Sequence, residues 1–469
     1  KDISSNRINS INPSSTVSLS SKAKRYKNEG RDVINVTTGE LPFQTPKYIR
    51  ESLYDAIELA KDKYSDPSGI LELKEAIVDK FGTENNLRFR TEEIVIGSGV
   101  KELFFNIMAS TISKNDEVII PVPYWVSFPE IVKSFDGKPV YIESDNKNNF
   151  KINPDQLRSV INERTKWLII NSPSNPTGSV YTASELKEIA DVLRESKNKH
   201  VLVISDDIYE KIIFDNNSFN NILNVAPDLE NRVVIMNGFS KSFCMTGWRL
   251  GYAAAKKGFI DLISIIKSHS TTCTPPFIQY AGAAALKGDN SFIDDNLKEI
   301  EKCRDAIVKG LNSIKGISCT NPDGSFYVFP SCKRFINSKT PDGKLIKSSK
   351  DFASYLLEDY NLAVIPGEAF GLDNYFRISY TIENRTMEEL LRRLRMACSK
   401  LLVEWIFIEE KNMKAPMILD CTLRDGSYVN NFQFSKDETS EISRDLDKAG
   451  FQYIEVGHGI GLGATERGQ

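Results

Sequence analysis

No stretch of this 469-residue sequence approaches the ~18 consecutive apolar residues of a membrane-spanning helix, so no segment is expected to cross a bilayer. Basic charge is not in excess. Lys and Arg number 60 against 63 Asp and Glu, a net charge of -3, and no segment carries a dominant basic block. The electrostatic footprint of a nucleic-acid binder is therefore missing, and a small substrate is expected. Paired cysteines are also lacking. The seven cysteines, at 244, 273, 303, 319, 332, 398 and 421, form no C-x-x-C pair, which argues for free thiols in a reducing compartment, the cytoplasm. The first ten residues are polar and have no apolar core of a secretory signal. What remains is the composition of a globular protein, 41% hydrophobic and 26% charged, long enough for two or three domains of roughly 100 to 200 residues.

Between about residues 90 and 255, short β-rich apolar runs alternate with stretches of helical length, the pattern of βαβ units around a buried parallel sheet. Seven strands are predicted: Ile94–Ile96, Glu117–Ile120, Val140–Ile142, Trp167–Ile170, Val201–Ile204, Val233–Met236 and Leu250–Ala254. Ala183–Glu195 is predicted to be one of the helices between them. The fold class is α/β, with residues 46–290 as a large domain and 291–412 as a smaller α+β domain. In the smaller domain, Gly324–Phe329 and Phe376–Tyr380 read as strands and Thr386 to about Glu409 as a helix. Residues 1–45 form an amino-terminal arm that adds to the small domain, and 413–469 begin with a polar linker ending at Pro416.

Ligands of an open parallel sheet bind beyond the carboxyl ends of its strands. Here those positions carry Gly97-Ser98-Gly99, Pro123-Tyr124-Trp125, Asn171 through Gly178, Asp206-Asp207-Ile208-Tyr209 and Ser240-Lys241. Singly, each has a bland reading. Gly97-Ser98-Gly99 lacks the third glycine of a dinucleotide fingerprint and is most often a tight turn, Asn-Pro-x-Gly is usually a turn, and one lysine among many is usually solvated. Together they converge on one rim.

Across roughly residues 10 to 405 the sequence resembles the fold type I, class I/II aminotransferases, especially the bacterial aspartate aminotransferase branch. The most specific segment runs from Ser240-Lys241-Ser242-Phe243 to Gly247-Trp248-Arg249-Leu250-Gly251. Gly39-Glu40, Lys63-Tyr64-Ser65, Tyr124-Trp125, Asn175-Pro176-Thr177-Gly178, Asp206 with Tyr209, and Arg377-Ile378-Ser379-Tyr380 follow in family order. The resemblance implies that residues 46–290 bind pyridoxal 5'-phosphate on a mostly parallel seven-stranded sheet. Lys241 would hold the cofactor aldehyde as a Schiff base and then move a proton as a base. Asp206 would face the pyridine nitrogen, Tyr209 and Asn175 the phenolic oxygen, and Trp125 the ring face. Gly99, Val100, Lys101, Ser240 and Arg249 would hold the phosphate at a helix amino end, with Tyr64 reaching it from the second subunit of a homodimer. Arg377 would grip the substrate α-carboxylate beside Gly39, whose missing side chain lets the backbone approach; Trp125 and Asn175 also line the substrate's place. Lys101, with Ser14 and Thr16 assisting, would read a distal carboxylate, which favours aspartate and glutamate with 2-oxoglutarate. No metal is implied there, and Asp207 is expected to be structural.

Other outcomes use much the same constellation, among them β-elimination, cyclopropane formation and racemisation. A non-enzymatic regulator domain of the same fold is disfavoured by the missing helix-turn-helix and basic patch. The carboxyl end adds a further reading. Met417 through Gly426, a helix near Lys436–Gly450 and Tyr453 through Gly459 read as β-α-β and resemble the start of the metal-dependent barrel lyases that include 4-hydroxy-2-oxovalerate aldolases. That resemblance carries an enolate-stabilising role to Arg424 and a metal-ligand role to Asp425, while Tyr428 departs from a histidine near this motif. The family's histidine pair has no counterpart, since the histidines are His200, His269 and His458. The covered part is about fifty residues against about 250 for a full barrel, so the fragment is expected to be silent in this chain, or part of a bifunctional aminotransferase–aldolase fusion.

Overall fold

A computed structural model describes residues 3–5, 7–412, 419–420, 441 and 453–454, and side chains as far as Leu401. The chain divides into two compact units, Lys1–Leu402 and Val403–Gln469. In the first, a short strand β1 (Ile34–Asn35) precedes the main sheet, made of β2 (Ile94–Gly97), β3 (Glu117–Val122), β4 (Lys138–Glu143), β5 (Thr165–Asn171), β6 (Leu202–Asp206), β7 (Val233–Gly238) and β8 (Gly251–Ala254). Its order is β2-β8-β7-β6-β5-β3-β4, all parallel except β8, which runs antiparallel to β2 and β7. The seven predicted strands are thus present, each within a few residues of its expected limits.

The sheet is apolar on both faces because helices cover both. Along β5, Trp167 and Ile169 enter one core with Phe104, Ile107 and Phe128. Leu168 and Ile170, pointing the other way, enter a second with Phe81, Leu186 and Leu193. Burying each such aliphatic or phenyl side chain is worth about 1.5–3 kcal/mol. Ala183–Glu195 is a helix over the predicted residues. Thr182 and Glu185 close its amino end as a reciprocal capping box, and Leu186, Ile189, Ala190 and Leu193 form the buried stripe.

A third core gathers the smaller lobe, with Ile307, Phe352, Leu356, Leu390 and Leu394 packed around β9 (Tyr327–Val328) and β12 (Phe376–Ser379). β12 lies between β9 and β11 (Ile365–Pro366), antiparallel to both, and β1 pairs in parallel with β10 (Leu362–Ala363). The predicted strand Gly324–Phe329 shrinks to two residues. Ser325 takes φ 58°, a left-handed conformation that breaks the extended run, and its carbonyl accepts the Tyr380 hydroxyl. The last long helix spans Asn384–Asn412, longer at both ends than expected.

In the second unit, Leu419–Asp420 pairs in parallel with Tyr453–Ile454. Arg424, Asp425, Tyr428, His458 and nearly all of the proposed helix near 436–450 lie outside the described residues. Among the described residues no helix is long and apolar enough to cross a membrane, and the six cysteines are free.

Candidate active site

Strand register builds the floor. Asn171 at the end of β5 is paired with Asp206 at the end of β6, and Asp206 in turn with Met236 of β7, so the loop after β7 delivers Lys241 over the same rim. The Lys241 Nζ donates to the Gly39 carbonyl at 2.6 Å and lies 5.7 Å from the centre of the Tyr209 ring. Asp206 is buried, and its Oδ1 has no hydrogen-bond partner. Burial pushes its carboxyl up to about 7, against the lowering influence of the Ile208 amide and the Lys241 charge.

The Gly97–Gly99 turn stands at the amino end of the helix Val100–Thr111, where backbone N–H groups and the helix dipole favour an anion. Gly99 has φ 85°, and a Cβ there would meet the Arg249 guanidinium at 2.5 Å. Arg249 takes φ 54°, and its guanidinium donates to the Thr246 carbonyl at 2.9 Å. A side chain on Gly251 would strike the Val100 nitrogen at 2.9 Å, so its glycine lets β8 pass directly beneath the turn.

The opposite wall comes from the smaller lobe. β1 brings Thr37 to Glu40 across the cavity mouth, held by β10 and by the Ser379 amide, which donates to Val36 O at 3.0 Å. Arg377, on β12, is buried: it donates to Asn175 Oδ1 at 2.9 Å and to the Thr37 carbonyl at 2.6 Å, while its Nε has no partner. Its guanidinium lies 4.5 Å from the Tyr327 ring centre and 5.1 Å from that of Phe370.

A cavity of about 590 Å³ opens between these walls. It is lined by Gly39, Val100, Lys101, Trp125, Asn175, Asp206, Tyr209, Ser240, Lys241, Arg249 and Arg377, so the structure brings together these predicted residues. Gly99 stands just behind, in contact with Arg249. Tyr64 does not line it and is exposed in this chain. Of the arm, Thr16 reaches the cavity, whereas Ser14 lines a neighbouring groove and bonds Thr16 at 2.9 Å. Asn175 is oriented by Arg377 through its Oδ1, a pairing not expected from the sequence. Asp207 turns away, accepting from Ser205 at 2.7 Å and from Asn221.

Sequence reasoning missed Tyr327. Its hydroxyl is 2.9 Å from that of Tyr209, and a Cβ on Gly39 would lie 2.3 Å from it. The only signal was a tyrosine within an apolar run.

The lining holds four basic side chains, Lys101, Lys241, Arg249 and Arg377, against Glu40 and Asp206. None of the four has a carboxylate within ion-pair distance among the described residues. Burial, with the Arg249 and Lys241 charges, holds the Lys101 ammonium below its usual range. Such a cavity calls for anions at both ends, while the unpartnered Asp206 oxygen calls for a donor or cation on its floor. Pyridoxal phosphate carries groups that meet these demands: an anionic phosphate, a ring nitrogen that can bear a proton, and an aldehyde that reacts with an amine. The arrangement defines a fold type I enzyme of the pyridoxal-phosphate-dependent kind.

The comparisons agree. The family described as aminotransferase class I and II matches residues 31–394. The chain is 44% identical over 399 residues to a probable aspartate/prephenate aminotransferase of Rickettsia bellii, covering 85% of this chain and all of the relative. It is 40% identical to an aspartate aminotransferase of Rhizobium meliloti, covering 84% of this chain and 96% of that one. Among solved structures, an aspartate aminotransferase from Rhizobium meliloti superposes with a TM-score of 0.82 at 39% identity, covering 86% of this chain and all of that one. The Thermus thermophilus aspartate aminotransferase with maleate gives 0.78 at 32% identity, covering 85% and 100%. This chain belongs to the class I and II aminotransferases, and its activity is pyridoxal-phosphate-dependent transamination.

Proposed function

We propose that the substrates are dicarboxylic, aspartate and glutamate with 2-oxoglutarate as acceptor. The observation that carries this reading is the surplus of cations in the cavity. After Arg249 has answered a phosphate and Arg377 an α-carboxylate, Lys101 remains at the cavity wall, with its Nζ 5.1 Å from the Trp125 ring centre and no acidic partner among the described residues. A positive charge at a helix amino end is unfavourable unless an anion is near, and a distal carboxylate supplies one. The names of the relatives, aspartate and aspartate/prephenate aminotransferases, support the same choice. Lys101→Ala should lower kcat/KM for aspartate about 100-fold while changing a monocarboxylic amino acid less than about threefold. Equal losses for both would overturn the role of Lys101.

The bound cofactor supplies an electron sink for the substrate Cα. Within that frame the residues have distinct tasks. Arg377 and Asn175 fix the α-carboxylate and so orient the Cα–H bond. Lys241, once its amine is free, takes the proton from Cα and returns it, its Nζ steered by the Gly39 carbonyl. Asp206 would hold a proton on the ring nitrogen, Tyr209 would donate to the ring oxygen, and Trp125 would exclude water from one face. The backbone N–H groups of Val100 and Lys101, the Ser240 hydroxyl and the Arg249 guanidinium would hold the phosphate, which leaves the Lys101 ammonium free, and Tyr64 would serve the second site of a homodimer. Its exposure in the single chain fits that assignment. The free cysteines favour the cytoplasm.

A second reading concerns residues beyond about Ala415, which we propose are the start of a metal-dependent aldolase barrel. The parallel pairing of Leu419–Asp420 with Tyr453–Ile454, the connection a β-α-β unit makes, favours it. Arg424 and Asp425 alone leave a divalent ion too few ligands, so no aldol chemistry is expected of these residues. Stoichiometric metal together with pyruvate release by this chain would overturn that expected silence.

A further inference from the structure

Tyr327 stands where the two halves of the reaction site meet. Its strand β9 pairs with β12, which places it in register with Ser379, two residues from Arg377. Its ring is the face on which the Arg377 guanidinium rests, 4.5 Å away, and its hydroxyl is 2.9 Å from the Tyr209 hydroxyl. Gly39, which steers Lys241, leaves the space that this hydroxyl uses, and any side chain there would collide with it. A tyrosine that only filled the core would need none of these polar neighbours.

We propose that Tyr327 is a positioning residue acting on two groups at once. Its hydroxyl donates to Tyr209, and its ring carries Arg377. The direction of the first bond follows from proton counting. Each hydroxyl has one proton, so if Tyr209 gives its own to the ring oxygen of the cofactor, the proton between the two phenols belongs to Tyr327. Donation into the Tyr209 oxygen also polarises its O–H and makes it the stronger donor. The second contact supports a buried, desolvated guanidinium with no carboxylate beside it among the described residues: beyond the Asn175 and Thr37 oxygens, negative potential comes from two aromatic faces, and Tyr327 at 4.5 Å is nearer than Phe370 at 5.1 Å. Both parts rest on the roles given above to Tyr209 and Arg377.

The experiment compares Tyr327→Phe, Tyr327→Leu and Tyr209→Phe in the holoenzyme. The absorbance of the lysine-bound chromophore is titrated with pH, and KM and kcat for aspartate are measured. Succinate binding to the cofactor-free protein is followed by tryptophan fluorescence. A donor on the ring oxygen favours the deprotonated chromophore. Tyr327→Phe should therefore raise the titration midpoint by about half a pH unit, and Tyr209→Phe by more, about one unit. Because phenylalanine keeps the π face, Tyr327→Phe should leave KM and succinate affinity within about twofold, whereas Tyr327→Leu should weaken both about tenfold. A Tyr327→Phe midpoint equal to that of the parent, beside a shifted Tyr209→Phe, would overturn the donor role. Unchanged KM and succinate affinity in Tyr327→Leu would overturn the guanidinium platform. If Tyr209→Phe itself leaves the midpoint unmoved, the reading of Tyr209 fails first and takes the donor role with it.

Discussion

At the end of β6, Asp206 faces the cavity with one carboxylate oxygen unpartnered, while Asp207, the next residue, faces the packed layer beneath and is satisfied by Ser205 and Asn221. The same contrast separates two buried cations. Arg377 borders the cavity with a spare Nε, whereas Lys267, in the layer under the Gly97–Gly99 turn, donates to Ile96 O at 2.7 Å and Thr274 Oγ1 at 2.9 Å. Burial acts alike in the two regions: it pushes both carboxyls up and holds both cations below their usual range. What distinguishes the functional groups is hydrogen-bonding capacity left unspent at a cavity wall. At this rim the satisfied charges, Asp207 and Lys267, hold the fold, and the unsatisfied ones, Asp206 and Arg377, border the cavity with capacity for a ligand.

The largest effect that would test this contrast lies on the floor. Lys241→Ala should remove about 10⁴-fold or more of kcat while leaving the unfolding temperature within a few degrees, because its contacts are few. Asp206→Ala should also be crippling, about 10³-fold, whereas Asp207→Ala should keep kcat within about threefold and lose about 2 kcal/mol of stability through its stranded donors. Parallel activity profiles and melting curves check both, and equal kcat losses at 206 and 207 would break the comparison.

A smaller effect separates the cations. Arg377→Lys should raise KM for aspartate about 100-fold, since an ammonium cannot replace the bidentate fork. Lys267→Met should change KM little and lower stability by about 1–3 kcal/mol through the unpaired Ile96 carbonyl and Thr274 hydroxyl.

The smallest test is one of pH. Asp206 and Asp207 have folded values of about 7 and about 8, above their unfolded range, so the folded cofactor-free protein binds the extra protons. Its stability should therefore fall as pH rises from about 4 through 8 and level off above. Bound cofactor, with a cation facing Asp206, should flatten the lower part of that fall. A cofactor-free melting temperature higher at pH 8.5 than at pH 5.5 would contradict the assignment.

The main sheet was legible because strands buried on both faces are continuous apolar runs, and the rim because chemistry collects in the loops after them. Lys241 and Tyr209 stand in such loops, and Asp206 ends the strand before one. Tyr327 does not: inside Gly324–Phe329 an aromatic residue reads as core packing, and its polar role depends on Tyr209 and Gly39, distant in sequence. Asn175 was legible as a cavity residue but not as a partner of Arg377, since strand patterns carry no information on contacts between lobes. The boundaries of Gly324–Phe329 were misread because the left-handed turn at Ser325 is occupied by serine rather than glycine.

The attachment of β1 to β10 has a temporal consequence. Thr37 and Arg377, which share a hydrogen bond, are 340 residues apart in the chain. Closing so long a loop carries an entropic cost that local contacts cannot offset early, and contacts of this span slow folding. During synthesis the sheet with Lys241 leaves the ribosome well before β10 and β12, so the nascent chain displays its reactive amine while the wall that orients it is still unmade. A strand translated before the whole main sheet is among the last to find its partner.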